Sequence, residues 1–303
     1  MSSTAARTPT LVNARTISLL AAAQLAIGAA AIFARFALAD GGPIAVSAFR
    51  LLIASLPLAV AAALRGAFRL RDAPTERRLG LAGLMLALHF ALWIASLKYA
   101  SVAVSTLLVC TTPIWTEAYA VARARHVRGD VLASIALAFA GVAIVIGAPA
   151  KAETPLGIAL AIGGSIAIAV YLILVRGTDS RYSTLAVVGR TYPYAAIILL
   201  VATCVLHDRI PPLGATSAWA GILAMALLSQ LFGHTALNAA VRTLSATFVA
   251  TVTLIEPAIA AGLAAVIFHE RLAPATLAGS LVILIAIGIA LRAEVRTQEK
   301  SRA

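Results

Sequence analysis

The chain is written in long apolar blocks separated by short polar joints. Ten blocks each hold roughly the 20 mostly apolar residues that a helix needs to cross a bilayer. They cover 16–39, 43–64, 79–97, 101–122, 129–148, 155–175, 184–206, 216–239, 245–267 and 273–292. No block alternates apolar and polar residues with period two, which argues against a barrel. The joints carry turn chemistry, as in Asp40-Gly41-Gly42-Pro43, Arg71-Asp72-Ala73-Pro74 and Pro211-Pro212. No joint is long enough to hold a soluble domain. The pattern predicts an all-α integral membrane protein with ten transmembrane helices.

Composition agrees with that class. Of the 303 residues, 61% are hydrophobic and 12% charged, and the mean hydropathy is +0.97. Soluble domains carry about 25% charged residues, so this chain lacks the charge to cover a surface in water. The first block follows Arg7 and Arg15, and Ala37-Leu38-Ala39 resembles a cleavage site. Its length exceeds the roughly 7–15 residues of a signal-peptide core, so it reads as a retained first span.

The net charge of +12 has two readings. A basic chain can bind nucleic acid, but these basic residues fall between apolar blocks. With the N-terminus inside, 17 of the 24 Lys and Arg lie in inner segments and five in outer ones, with Arg50 and Arg190 inside helices. Lys and Arg collect on the cytoplasmic side of membrane proteins. The expected partner is therefore the bilayer and not a nucleic acid, with both termini, 1–15 and 293–303, in the cytoplasm. Cys110 and Cys204 sit singly inside apolar blocks and read as buried free thiols.

The chain repeats itself. Residues 98–113, KYASVAVSTLLVCTTP, shifted by 144, fall on 242–257, RTLSATFVATVTLIEP. A basic residue, a serine and a proline coincide. Arg50 near the start of block two is matched by Arg190 near the start of block seven, and His89 by His234. The halves are 16–148 and 155–292, with five helices each. Five is odd, so the second copy enters the membrane from the opposite side, giving the inverted repeats common among secondary transporters.

Ionisable groups at membrane depth are costly and mark cavities or functional positions. Those inside the blocks are Arg50, His89, Glu117, Arg190, His234 and Glu256. They contain no ligand set for a metal, and the sequence has no zinc, nucleotide-loop or nucleophile-elbow motif, so neither catalytic residues nor a cofactor are expected. Gln230, His234 and Asn238 recur every four residues on one helical face. Lipid would leave them unpaired, so the face is expected inward, lining a cavity or bonding other helices. His89 and Trp93 share a face one turn apart. Tyr171 presents its ring to the cavity or sits in the interfacial aromatic belt, with its place near a helix end favouring the belt. Glu117, between Trp115 and Tyr119, has His89 or Arg50 as candidate partners. Arg50 and Arg190 snorkel to the interface, cap a neighbouring helix, or gate the cavity. Pro257 removes a backbone donor and clashes with an upstream carbonyl, so it is expected to bend block nine beside Glu256; Pro113 occupies the matching place in block four.

Residues 254–288, LIEPAIAAGLAAVIFHERLAPATLAGSLVILIAIG, resemble the last two helices of an EamA-type repeat of the drug/metabolite transporter superfamily. The resemblance is carried by Glu256-Pro257, Glu270-Arg271-Leu272, Gly279 and Gly288. His269 stands where the family usually has Gly, and Arg125-His126 where the first repeat often has its own acid. The resemblance implies export of metabolites or drugs from bacteria through a cavity between the repeats. Among family members the chain is similar to exporters of aromatic amino acids.

With that resemblance, His89, Trp93, Gln230, His234, Asn238, Tyr171 and Trp115 become candidate substrate contacts. Glu256, Pro257, Pro113, Glu117, Arg50 and Arg190 become candidate structural or coupling residues. Glu117, Glu256, His89 and His234 are the groups able to carry a proton. The expectation is an alternating-access exporter of amino acids, aromatic ones included. The rivals are an exporter of other metabolites or lipophilic drugs, and a membrane scaffold or receptor that transports nothing.

Overall fold

The computed structural model describes residues 14–69, 72–100, 102–124, 128–146, 154–267 and 274–300. Lys151, Arg125-His126, His269 and Glu270-Arg271-Leu272 lie outside them. All regular structure among the described residues is helical, and each of the ten apolar blocks is a span. Span one is α1 (Ala14–Gly28) and α2 (Ala30–Leu38); spans two and three are α3 (Pro43–Leu64) and α4 (Ala73–Ser96). Span four is α5 (Val102–Val109) and α6 (Thr112–Ala124); span five is α7 (Gly129–Ile146). Spans six and seven are α8 (Pro155–Arg176) and α9 (Thr184–Val205). Span eight joins α10 (Thr216–Ala224), a π-helix (Met225–His234) and α11 (Thr235–Val241). Span nine joins α12 (Ala246–Val252), a 3-10 turn (Thr253–Ile255) and α13 (Glu256–Ile267), and span ten is α14 (Pro274–Lys300). The outward faces carry Leu56, Val60, Ile197, Val201, Leu281 and Ile285, an apolar surface that hydrocarbon, not water, would cover.

The two halves do not pack as separate bodies. Span five lies along span ten, three along six, two along seven, one along eight and four along nine. Advancing every span by five maps this pairing onto itself, as a twofold-related pair of five-helix repeats requires. Lipid tails are as apolar as the helix surfaces, so close van der Waals approach must hold the spans together. At the five–ten crossing a Cβ on Gly141 would lie 2.8 Å from the Gly279 carbonyl oxygen, so only glycine permits that approach.

The arginine-rich joints gather at one end of the bundle. Arg176 Nη1 donates to the Arg242 carbonyl at 2.7 Å, and Arg242 donates to the Tyr182 carbonyl. The Tyr182 hydroxyl donates to Asp72 at 3.0 Å. Asp72 also caps α4 by accepting the Thr75 N–H at 3.0 Å. That N–H, with the Tyr182 hydroxyl and nearby Arg181 adding to it, holds the Asp72 carboxyl below its ordinary range. At the other end Asp208 crosses between the halves and caps α3, accepting the N–H groups of Ile44 and Ala45 at 2.7 and 2.9 Å.

Spans two and seven end alike. After α3, Gly66 turns left-handed with φ 63, and the Ala67 N–H reaches back to the Ala62 carbonyl at 2.8 Å. After α9, His207 takes φ 51, and the Asp208 N–H reaches back to the Thr203 carbonyl at 3.0 Å. This is one stop signal used twice, with a strained side chain in the second copy. His207→Gly should therefore raise the unfolding midpoint in detergent, by about 1 kcal/mol of relieved strain, and Gly66→Ala should lower it. No change with His207→Gly would show that the turn carries no strain.

Asp72 supplies a pH signature. Its folded pKa is lowered, so its contribution is complete above the unfolded value of about 3.9 and is lost as the pH falls through the lower folded value. The stability difference between wild type and Asp72→Asn should be widest near neutrality and close on acidification below about pH 4. A difference that does not change with pH would contradict this.

Candidate functional site

Spans four and nine are both broken at mid-membrane, and they meet there. Pro113 lacks an N–H and its ring excludes the Val109 carbonyl from the helical ladder. The Thr112 hydroxyl donates to that carbonyl at 2.9 Å, and the Thr111 hydroxyl donates to the Leu108 carbonyl at 2.7 Å. In span nine Pro257 has the same effect on the Thr253 carbonyl. The chain tightens into the 3-10 turn, so the Glu256 N–H bonds Thr253. Cys110, at the break in span four, points its thiol at the Thr253 carbonyl (3.6 Å) and at Glu256 Oε2 (3.8 Å).

A central cavity with about 520 Å³ of empty space lies at this crossing. His89 and Trp93 from span three, His234 and Leu237 from span eight, and Thr253 and Glu256 from span nine face it, with Cys110 and Thr112 from span four. Ile27, Ile168 and Leu172 complete an apolar wall. His89 and Trp93 lie with rings 8° apart and centroids at 6.2 Å. His234 sits 6.5 Å from His89 with the rings edge to face at 61°, a pair that the repeat symmetry brings together. His89 Nδ1 is 2.9 Å from the Gly164 carbonyl. A carbonyl only accepts, so Nδ1 carries the hydrogen and, in the neutral ring, Nε2 keeps its lone pair. Trp93 Nε1 and His234 Nδ1 are buried without a hydrogen-bond partner. The cavity therefore presents an indole donor, an imidazole nitrogen and a carboxylate that the fold itself leaves largely unused.

The remaining candidates do other things. Gln230, His234 and Asn238 all point inward, but a rise of about 1.5 Å per residue sets them at three depths. Only His234 reaches the cavity. Asn238 accepts from the Tyr171 hydroxyl at 2.7 Å and donates to the Tyr192 hydroxyl at 3.3 Å. Tyr171, expected in the interfacial belt, is fully buried instead, because Asn238 supplies its hydroxyl with an internal acceptor. Gln230 accepts from Arg50 Nε at 3.1 Å. Trp115 donates to the Thr111 hydroxyl at 3.3 Å, supporting the break in span four. Glu117 meets neither His89 nor Arg50; it pairs with Arg128 at 2.9 Å, because it lies a turn beyond the break, toward the arginine-rich end. Cys204 is exposed on the outward face while Cys110 is buried.

Neither helix arginine snorkels. Arg50 is completely buried, with its guanidinium 4.0 Å from the centre of the Phe90 ring and with Nη1 and Nη2 unpaired. Arg190 pairs with Glu76 at 3.0 Å and donates to the carbonyls of Ala67 and Ala186. The two arginines obey the repeat symmetry: Arg50 joins span two to span eight, and Arg190 joins span seven to span three. The Phe90 ring under Arg50 lies 5.3 Å from the His234 ring, so the positive charge of Arg50 stands one side chain behind the cavity.

A second pocket of about 850 Å³ opens at the arginine-rich end, on spans four, six and nine below the cavity. Arg78, Arg128, Arg176, Thr116 and Thr247 line it. Sequence reasoning missed Cys110, Thr253 and this vestibule. The signal for the first two was their position within four residues of the prolines; the charge count puts Arg78, Arg128 and Arg176 at one end of the bundle, but nothing in the sequence brings them to one pocket.

The EamA-like transporter family matches residues 14–147 and again 155–292. No curated protein matches. A solved structure, titled only as the crystal structure of a protein, superposes with a TM-score of 0.77 over 94% of this chain and 99% of its own, at 17% sequence identity. That likeness concerns the fold alone.

The tyrosine–asparagine network gives a test of structure apart from the cavity. Asn238→Ala would remove the acceptor of the buried Tyr171 hydroxyl and leave the Tyr192 hydroxyl its 3.4 Å contact with Thr235, and should lower stability by about 1–3 kcal/mol, read from the unfolding midpoint of the purified protein. Tyr171→Phe, which removes a single donor, should cost less. Equal midpoints for wild type and Asn238→Ala would rule out the network as a stabilising element.

Proposed function

Because the chain belongs to the EamA-like transporter family, whose members carry small molecules across membranes, we propose that it exports amino acids, aromatic ones included. The working units in this reading are the repeats 16–148 and 155–292, which expose the central cavity alternately to either side of the bacterial inner membrane. The charge asymmetry supports cytoplasmic termini: the arginine-rich joints share one end of the bundle with the vestibule.

The observation that carries the substrate reading is the set of polar groups facing one apolar cavity: Trp93 Nε1 and His234 Nδ1, both without a partner, and the Glu256 carboxylate, met by the Cys110 thiol at 3.8 Å. A zwitterion has matching parts. Its ammonium suits Glu256, and its carboxylate suits the Trp93 N–H and the imidazole edge within the field of Arg50. An aromatic side chain suits the Trp93–His89 face and the wall of Ile27, Ile168 and Leu172. The vestibule supports the same reading, since Arg78 and Arg176 would concentrate carboxylates at the cytoplasmic mouth.

Proteoliposomes containing the protein should release labelled phenylalanine faster than empty vesicles. His234→Ala and Glu256→Gln should cut that release about tenfold or more, the loss expected for one charge-assisted contact, with the fold intact by gel filtration. Absence of flux for every amino acid tried would sink the reading, and drug tolerance without amino-acid efflux would favour a lipophile exporter. If Glu256 or a histidine exchanges a proton, a pH gradient alone should drive uptake into vesicles; equal flux with and without it identifies a uniporter.

A further inference from the structure

Spans one, nine and ten leave a groove on the lipid-facing side of the bundle, with about 890 Å³ of empty space. Its walls are apolar side chains, among them Leu20, Phe248, Ile255 and Ile287. The polar exception among the described residues is Gln24. Gln24 is 1% exposed, and neither Oε1 nor Nε2 of its carboxamide has a hydrogen-bond partner. An unpaired amide in an apolar site is costly, and more so at membrane depth, where water does not compensate. A hydrocarbon tail could fill the groove but offers neither donor nor acceptor.

The groove is distinct from the central cavity. Spans one and nine close behind it: a Cβ on Gly28 would lie 2.7 Å from Ile259. Ile27 and Glu256, on the same two spans, face the cavity on the far side of that seam. Toward the lipid the groove is open past Leu25 and Leu284, which are 61% and 56% exposed.

We propose that this groove binds a membrane-dissolved amphiphile with an alkyl body and one secondary amide group, which pairs with the Gln24 carboxamide. Gln24 offers a donor pair and an acceptor; a secondary amide offers the complementary acceptor and donor in one plane. The apolar walls take the body of the ligand, and Gln24 selects its polar group and sets its depth.

The test uses the full-length protein in lipid nanodiscs with two photoreactive probes of equal length, an N-alkyl amide and a plain alkane, each bearing the same diazirine. Adducts are mapped by peptide mass spectrometry. The amide should label residues 17–25 and 284–291 about fivefold more than the alkane, the ratio one net hydrogen bond supports. Gln24→Leu should bring the amide down to the alkane level with an unfolding midpoint no lower than wild type. Ala21→Phe, which fills the groove, should remove labelling by both probes. Equal labelling by the two probes, or amide labelling unchanged in Gln24→Leu or in Ala21→Phe, overturns the proposal. The readout is binding, so it stands or falls separately from amino-acid flux.

Discussion

A proline inside a membrane helix frees a carbonyl where water cannot reach it; Pro57 and Pro193 do so within continuous helices, and the rest of this structure is arranged around the two carbonyls freed where spans four and nine break. Val109 is satisfied within its own span by the Thr112 hydroxyl. Thr253 is satisfied by a tightened turn and by the Cys110 thiol across the gap. Non-helical backbone at this depth is tolerated only when buried in protein or lining a cavity. Here it does both, so the breaks that cost the helices their regularity bring polar groups to the central cavity.

The pairing of spans follows from the same requirement. Each broken span crosses its counterpart from the other repeat, and the other eight spans also pair between halves, two with seven, five with ten, three with six and one with eight. Neither repeat could bury its polar groups alone: Arg50 in the first repeat needs Gln230 in the second, and Arg190 in the second needs Glu76 in the first, although Asn238 finds Tyr171 and Tyr192 in other spans of its own repeat. The repeats have diverged where their roles differ. Arg190 has a carboxylate partner near the membrane end, whereas Arg50 has a neutral amide, a ring face and two unpaired nitrogens. A buried cation so sparsely paired imposes its field on its surroundings, and the central cavity lies within that field.

Glu256 shows how a family marker acquires a physical meaning. Its counterpart in the first half is Thr112, which spends its hydroxyl on the backbone. Glu256 leaves the repair of its own break to its N–H and to Cys110, and keeps its carboxylate for the cavity. The shared prolines set the architecture, and the difference between threonine and glutamate gives the cavity a chemical polarity along the line joining the repeats.

The sequence by itself determined the solvent, the ten spans, the twofold duplication and the inward face of Gln230, His234 and Asn238. Those follow from hydrophobic length and from the cost of polar atoms in hydrocarbon, both of which are local. It could not determine which inward groups share a site. Gln230, His234 and Asn238 lie on one face yet serve an arginine, a cavity and a tyrosine pair, because the depth and angle of neighbouring spans are set by packing between residues more than 40 positions apart. The vestibule arginines, the partnering of Glu117 with Arg128 in place of His89, and the unpaired Gln24 were decided the same way. Partners in this fold come from other spans of either repeat, and only the assembled bundle says which ones arrive.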